Sequence, residues 1–411
     1  MAVVSALALL ALAGCGLLPG HAQEGDTIPP ASAAPSTDLG PGVRPLSFGP
    51  GDKSSPRVSP SGESVAFVLD GHVTEKPLYA QNFRRRTASD LGAEQTEWLL
   101  DGGLGILSPE DKTKNWNVEA TLTANSFFSA QPDDSSSDGS SNVRKLVERV
   151  VAAGAVPGGG AIIAVVMPST TDSSEELPKN RLVLLQGSED PMKVYPRNIR
   201  GFIIGLSVSP DGREVILAVR HGADEAKGWF EIQTYQLSEG WPRRVARLPR
   251  GMEILGAPQW TPRGVHFVAG DFNDSAVRDK NSAPYSLYRV PEGSHVPEPV
   301  RGVGEDFVAA SINASPDGRR LAVVGRRNPG SPTNLYVLDL ASDTLEAVTA
   351  NENMEIKTNP RDLAWSPHGG SVVLVARGTL SAPKVYDAPA STLSSAFYNL
   401  YEVPAGRGSK G

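Results

Sequence analysis

The chain has 411 residues, net charge −7, 42 glycines, 34 prolines and one cysteine. That length suits two or three ordinary domains or one large all-β domain. The acidic balance and the lack of a long basic run argue against nucleic acid as a partner, and a lone thiol excludes an internal disulfide framework and a cysteine-based zinc site.

The first element is apolar. Residues Ala2 to Leu18 carry no charge and are rich in Ala, Leu and Val. Ala6 to Ala13 has the length of a signal-peptide apolar core and is too short for a dedicated membrane span. It runs into Leu12-Ala13-Gly14-Cys15, a branched apolar residue and two small ones before the only cysteine. This resembles a bacterial lipobox, which implies cleavage before Cys15 and a lipid on its sulfur. The segment before Cys15 lacks the usual Lys or Arg, so a plain secretory signal cut near Ala22 and an uncleaved anchor stay open. All three readings export the remainder. From Gly16 to about Gly40, Pro, Ala and Ser dominate without apolar periodicity, the composition of a flexible tether.

A repeat then governs the chain. Prolines of a recurring turn motif stand at Pro60, Pro109, Pro157, Pro210, Pro262, Pro316 and Pro367, about fifty residues apart. Five copies are clear: Ser59-Pro60-Ser61-Gly62, Ser209-Pro210-Asp211-Gly212, Thr261-Pro262-Arg263-Gly264, Ser315-Pro316-Asp317-Gly318 and Ser366-Pro367-His368-Gly369. Two are degenerate: Ser108-Pro109-Glu110-Asp111 has no Gly and Val156-Pro157-Gly158-Gly159 has no Ser. Proline presets φ, Asp or Ser accepts local backbone hydrogen bonds, and Gly supplies the positive φ that closes the turn. A near-continuous apolar run follows each turn, as in Val215-Ile216-Leu217-Ala218-Val219, the pattern of a strand buried on both faces. An alternating strand comes next, as in Asn334-Leu335-Tyr336-Val337-Leu338, then a short fourth. Val143 to Ala153 reads as an outer strand of blade two.

Four antiparallel strands per repeat of this size describe a β-propeller blade. The expected fold is therefore an all-β, seven-bladed propeller, with six blades the alternative. Val43-Arg44-Pro45-Leu46-Ser47 stands where a fourth strand is missing from the last repeat, so it is expected to close that blade. The expected domains are a signal over 1–14, a tether over 15–40 and the propeller over 41–411. The turn motif with its preceding Trp (Trp260-Thr261-Pro262, Trp365-Ser366-Pro367) and the strand Leu335-Tyr336-Val337-Leu338-Asp339-Leu340 resemble the WD40-like repeats of TolB-type propellers. The resemblance spans roughly residues 41 to 404. It implies a fold used by periplasmic scaffolds, peptidase gating domains and lipoproteins, and it specifies no chemistry.

Catalytic constellations are sparse. Gly205-Leu206-Ser207-Val208-Ser209 departs from a nucleophile elbow at its last residue and reads as a strand entering a turn. The six histidines show no metal-ligand spacing. Asp271 to Asp279 has alternating oxygen side chains but lacks the Gly and Glu of a calcium loop. No cofactor, no metal and no catalysis are expected. Residues just before each innermost strand form one rim of the ring, and Arg200, Glu253, Glu305, Asp306, Arg361 and Asp362 are the candidate partner-binding positions. The expected function is a monomeric, exported, lipid-anchored scaffold that binds an envelope protein or peptide at the propeller mouth. The alternatives are a metal-dependent hydrolase or lactonase centred on the channel, and a carbohydrate-binding or sensory domain.

Overall fold

The computed structural model describes residues 39–40, 42–47, 51–70, 72–78, 84–85, 95–98, 104–109, 125–132, 141–156, 161–167, 177–185, 193–222, 228–271, 285–378 and 397–406. The chain forms a six-bladed β-propeller. The short strand β1 (Arg44–Pro45) is set apart for the last blade. Blade one holds β2 (Lys53–Val58), β3 (Ser64–Leu69), β4 (His72–Pro77) and β5 (Arg84–Arg85). Then come β6 (Gln95–Trp98), β7 (Leu104–Pro109) and β8 (Asn125–Pro132), which extend blade two. Blade two proper consists of β9 (Ser141–Ala155), β10 (Ile162–Val166), β11 (Lys179–Leu185) and β12 (Lys193–Arg200). Blade three is β13 (Phe202–Val208), β14 (Glu214–His221), β15 (Trp229–Gln236) and β16 (Trp241–Arg247). Blade four is β17 (Met252–Thr261), β18 (Gly264–Asp271), β19 (Tyr285–Val290) and β20 (Glu298–Pro299). Blade five is β21 (Val308–Ala314), β22 (Arg320–Arg326), β23 (Asn334–Asp339) and β24 (Thr344–Ala347). Blade six has a split inner strand, β25 (Met354–Ile356) and β26 (Leu363–Trp365), followed by β27 (Ser371–Gly378) and β28 (Asn399–Pro404).

β1 supplies the outer strand of blade six. Arg44 pairs with Glu402 and Pro45 with Tyr401, as the missing fourth strand led us to expect. The clasp reaches further than its two paired residues. Leu39 is fully buried in the core between blades five and six, and Leu46 in the core between blades six and one.

The expectation of seven blades is corrected to six. Ser108 and Pro109 close no blade turn. They end β7 and pair with Ser126 and Asn125 of β8. That copy lacks the Gly whose positive φ closes the other turns, and its Ser and Pro stand within a strand. Nor is Val143 to Ala153 an outer strand. It lies in β9, which takes β8 along its first part and β10 along its second. One 15-residue strand thus merges two expected blades into a single seven-stranded sheet.

The apolar second strands explain the packing. Val215, Leu217 and Val219 of β14 face the core shared with blade two, while Ile216 and Ala218 face the core shared with blade four. In β27, Val372, Leu374 and Ala376 face blade five, and Val373 and Val375 face blade one. Each blade is too thin to bury both faces alone, so the ring is stabilised by cores between neighbours.

The turns carry the hydrogen bonds that their composition implies. In blade five the Ser315 hydroxyl donates to Asp317 Oδ1 (2.6 Å) and accepts from the Arg320 amide (3.0 Å), while the Gly318 amide donates to the Ser315 carbonyl (2.8 Å). Blade three repeats this with Ser209, Asp211 and Glu214. No helix among the described residues is long and apolar enough to cross a membrane. Cys15, the lipobox residues Leu12, Ala13 and Gly14, and the polar loops after Asp271 and Gly378 lie outside the described residues.

Candidate functional site: the central channel

The innermost strands surround a central channel of about 800 Å³, within the size range of small-molecule and peptide sites. Its wall is built on bulges. Register shifts occur between Ser54 and Arg57, Ile203 and Gly205, Leu255 and Gln259, and Ala309 and Ser311. A bulge leaves backbone groups without a partner in their own ladder and re-aims neighbouring side chains.

Neighbouring blades are joined across this wall through one recurring position. Arg57, Gly154, Ser207, Gln259, Asn313 and Ala364 each stand three residues before a turn proline, and all six line the channel. The four polar ones splint the ring. The Ser207 hydroxyl donates to the Pro258 carbonyl of blade four, and Gln259 Oε1 accepts from the Ala314 amide of blade five (3.1 Å). Asn313 Nδ2 donates to the Leu363 carbonyl of blade six (3.2 Å), and Arg57 Nη1 to the Arg361 carbonyl (2.9 Å). Trp365 adds a fifth bond, its indole Nε1 donating to the Asn313 carbonyl (2.9 Å). Ser207 is thereby a wall residue of β13, consistent with a strand rather than a nucleophile elbow.

Of the six rim candidates, the structure brings Arg361 to this wall and buries Asp362 behind it. Arg361 lines the channel. Asp362 is buried (5% exposed) and its Oδ1 accepts from the Ser55 amide at 2.8 Å. Ser55 is itself fully buried with φ +49, so this carboxylate holds a left-handed bulge in place. Burial pushes the Asp362 pKa up, against the Ser55 amide and the nearby Lys357, Arg57 and Arg361. The other four do not join them. Arg200 ends β12 and is exposed, Glu253 is half-buried on β17, and Glu305 and Asp306 are exposed in the connection before β21. Residue order along a blade locates the rim but not which side chains turn inward, because the bulges shift that choice.

The electrostatics of the wall are one-sided. Among the described lining residues the charged side chains are Arg57 and Arg361, and the buried Asp362 carboxylate behind them lies close enough to interact with both and with Lys357. The amides of Gln259, Asn313 and Asn359 and the aromatic rings of Trp260 and Trp365 complete the polar and flat surfaces. Such a wall offers donors and stacking faces to an anion. Among the described residues no group of three or more His, Cys, Asp or Glu is placed to hold a metal ion.

No protein-family model and no curated protein sequence matches the chain. Solved structures do. The oligogalacturonate lyase of Vibrio parahaemolyticus aligns at TM-score 0.52 and 11% identity, over 89% of this chain and 94% of that one. A puromycin hydrolase aligns at 0.54 and 14% identity, over 87% of this chain and 53% of that one. The puromycin-hydrolyzing peptidase of Mycobacterium tuberculosis aligns at 0.51 and 14%, over 80% and 52%. The chain therefore spans about half the length of these hydrolases and nearly all of the lyase. A putative TolB from Agrobacterium tumefaciens is also among the similar structures, at TM-score 0.41 and 12% identity, over 80% of this chain and 93% of that one. These likenesses establish the propeller fold. They also overturn the expectation of a non-catalytic chain, because an enzyme of nearly the same extent is built on this architecture.

Proposed function

We propose that the channel binds an anionic, extended ligand, and that this ligand is a peptide segment of a partner protein carrying a free carboxylate. The supporting observation is the composition of the wall: two guanidiniums and three amides among the described lining residues, in a chain whose net charge is −7. Arginine presents a planar fork matched to carboxylates. Asparagine and glutamine side chains that splint the blades hold the wall rigid before a ligand arrives, which lowers the ordering cost of binding. Titration calorimetry with peptides bearing a free or an amidated C-terminus tests this reading. Binding of the free acid should exceed that of the amide at least tenfold, and Arg361→Ala should erase the difference. Equal affinity for the two peptides would sink it.

A second reading is favoured by Trp260 and Trp365 together with the fold shared with the lyase: an acidic sugar chain stacked on the indoles. Oligogalacturonates in the same titration, followed by absorbance for unsaturated products, separate the two. We further propose that the chain is exported and held at the membrane by a lipid on Cys15, with the residues between Cys15 and the buried Leu39 as the tether. Labelled palmitate should enter the protein in cells and be absent from Cys15→Ala.

A further inference from the structure

The outer strands of the six blades differ in charge. β5, β12 and β16, the outer strands of blades one to three, contain eight Lys or Arg and no Asp or Glu. β20 and β24, the outer strands of blades four and five, contain no Lys or Arg and one Glu each. Charged residues on edge strands also prevent edge-to-edge pairing, but that need is the same for blades four and five, whose edges carry no cation.

Apolar exposure falls on the same side. Among the described residues five large apolar side chains are exposed: Ile204 and Leu255 on inner strands, and Val194 (44%), Trp241 (51%) and Val296 (70%) outside the ring. The last three occupy equivalent places on consecutive blades. Val194 is near the start of β12, Trp241 starts β16, and Val296 stands in the connection leading to β20. Each inner strand runs into a turn proline, and successive strands are antiparallel. The connections from third to fourth strand therefore lie at the same end of the ring as those turns. Contacts make the patch continuous. The Arg197 guanidinium stacks on the Trp241 ring at 3.7 Å, and His295 Nδ1 lies 2.7 Å from the Val245 carbonyl, bringing blade four's connection onto β16. Two of the cations are partly offset: Arg243 pairs with Glu239 at 2.8 Å and Arg244 with Glu231 at 3.7 Å.

We propose that this basic, tryptophan-bearing edge of blades one to three, with Val296 of blade four beside it, docks the propeller on an anionic membrane surface. An anionic leaflet attracts clustered Lys and Arg, and an indole beside them suits the headgroup level. The observations rest on the outer strands alone, so the proposal stands apart from the channel ligand and from the lipid on Cys15. Docking on this edge sets the orientation of the ring on the bilayer, which a flexible tether cannot do.

The test is co-sedimentation of the full chain with phosphatidylcholine vesicles, with and without one third phosphatidylglycerol. Each cationic side chain near an anionic leaflet is worth on the order of fivefold in partitioning. The full chain should prefer the anionic vesicles at least tenfold at low salt and lose that preference at high salt, because the attraction is screened. The double variant Lys193→Glu and Arg243→Glu should lose the preference while keeping the wild-type melting temperature and its binding to neutral vesicles. Trp241→Ala should weaken anionic binding several-fold, as a loss of interfacial contact. Absence of the preference in the wild type, or its survival in the double variant, overturns the proposal. So does selective binding of soluble polyphosphate with no preference among the vesicles, which would make the edge a polyanion site.

Discussion

Blades five and six share a turn motif and the same apolar second strand, yet they are completed differently. Blade five takes all four strands from one continuous run, with β24 pairing back onto β23. Blade six takes its outer strand from the other end of the chain, about 350 residues away, and splits its inner strand into β25 and β26. The local hairpins form from turn chemistry in both. Only blade six makes the ring a closed object, so its stability depends on contacts of extreme sequence separation, whereas blade five depends on its neighbours. Closing the ring leaves only the short outer edge of each blade open to another chain.

The largest loss of stability is expected from removing the clasp. Deleting residues 39–47 strips two buried leucines, worth together on the order of 5 kcal/mol. It should lower the melting temperature by roughly 10 °C and promote association at micromolar concentration. A melting temperature within 2 °C of wild type would show that blade six closes without β1.

A smaller loss is expected from acid, in a blade that the clasp does not touch. His266 is fully buried on β18, with Nδ1 3.2 Å from the Thr261 hydroxyl, and burial and then Arg289 lower its pKa to about 4. The unfolded chain takes up this proton near pH 6.5 and the folded chain does not. Stability is therefore intact above pH 6.5 and falls by about 3 kcal/mol as pH drops to 4. Urea titrations at pH 7 and pH 4.5 should show the loss, and His266→Gln should flatten much of that slope.

The turns sharpen the comparison further. Gly318 of blade five has φ +67, and a Cβ there would meet Pro210 at 3.1 Å and Pro262 at 3.2 Å, turn residues of two other blades. Gly369 of blade six has φ +66, but its nearest neighbour is the flexible end of Arg320. Gly318→Ala should cost about 2 kcal/mol and Gly369→Ala about half of that, by chemical denaturation. The smallest effect separates the serines. Ser315 bonds both Asp317 and the Arg320 amide, whereas Ser366 accepts from the Ser371 amide and His368 stands where Asp would be. Ser315→Ala should cost about 1 kcal/mol and Ser366→Ala a few tenths; equal losses would mean that the Asp contributes nothing.

Part of the site was legible. The position three residues before each turn proline can be counted from the chain, and it yields Arg57, Ser207, Gln259 and Asn313 once its inward direction is known. The rim reading instead chose residues ahead of the inner strands. Of these, Arg361 reaches the wall and Asp362 is buried behind it, because the split strand of blade six brings them there. Arg200, Glu253, Glu305 and Asp306 do not.

By itself the amino-acid sequence determined the propeller, its turns and the strand that closes it. Those rest on local chemistry: a Pro that presets φ, a Gly that tolerates positive φ, and apolar runs that must be covered on both faces. Only the tertiary structure decided the number of blades, since β9 can pair on both edges and no local signal forbids it. It also decided which side chains enter the channel and that three exposed apolar residues line up beside a basic edge. Those features depend on register and on the approach of neighbouring sheets, and both are set by packing between segments far apart in the chain.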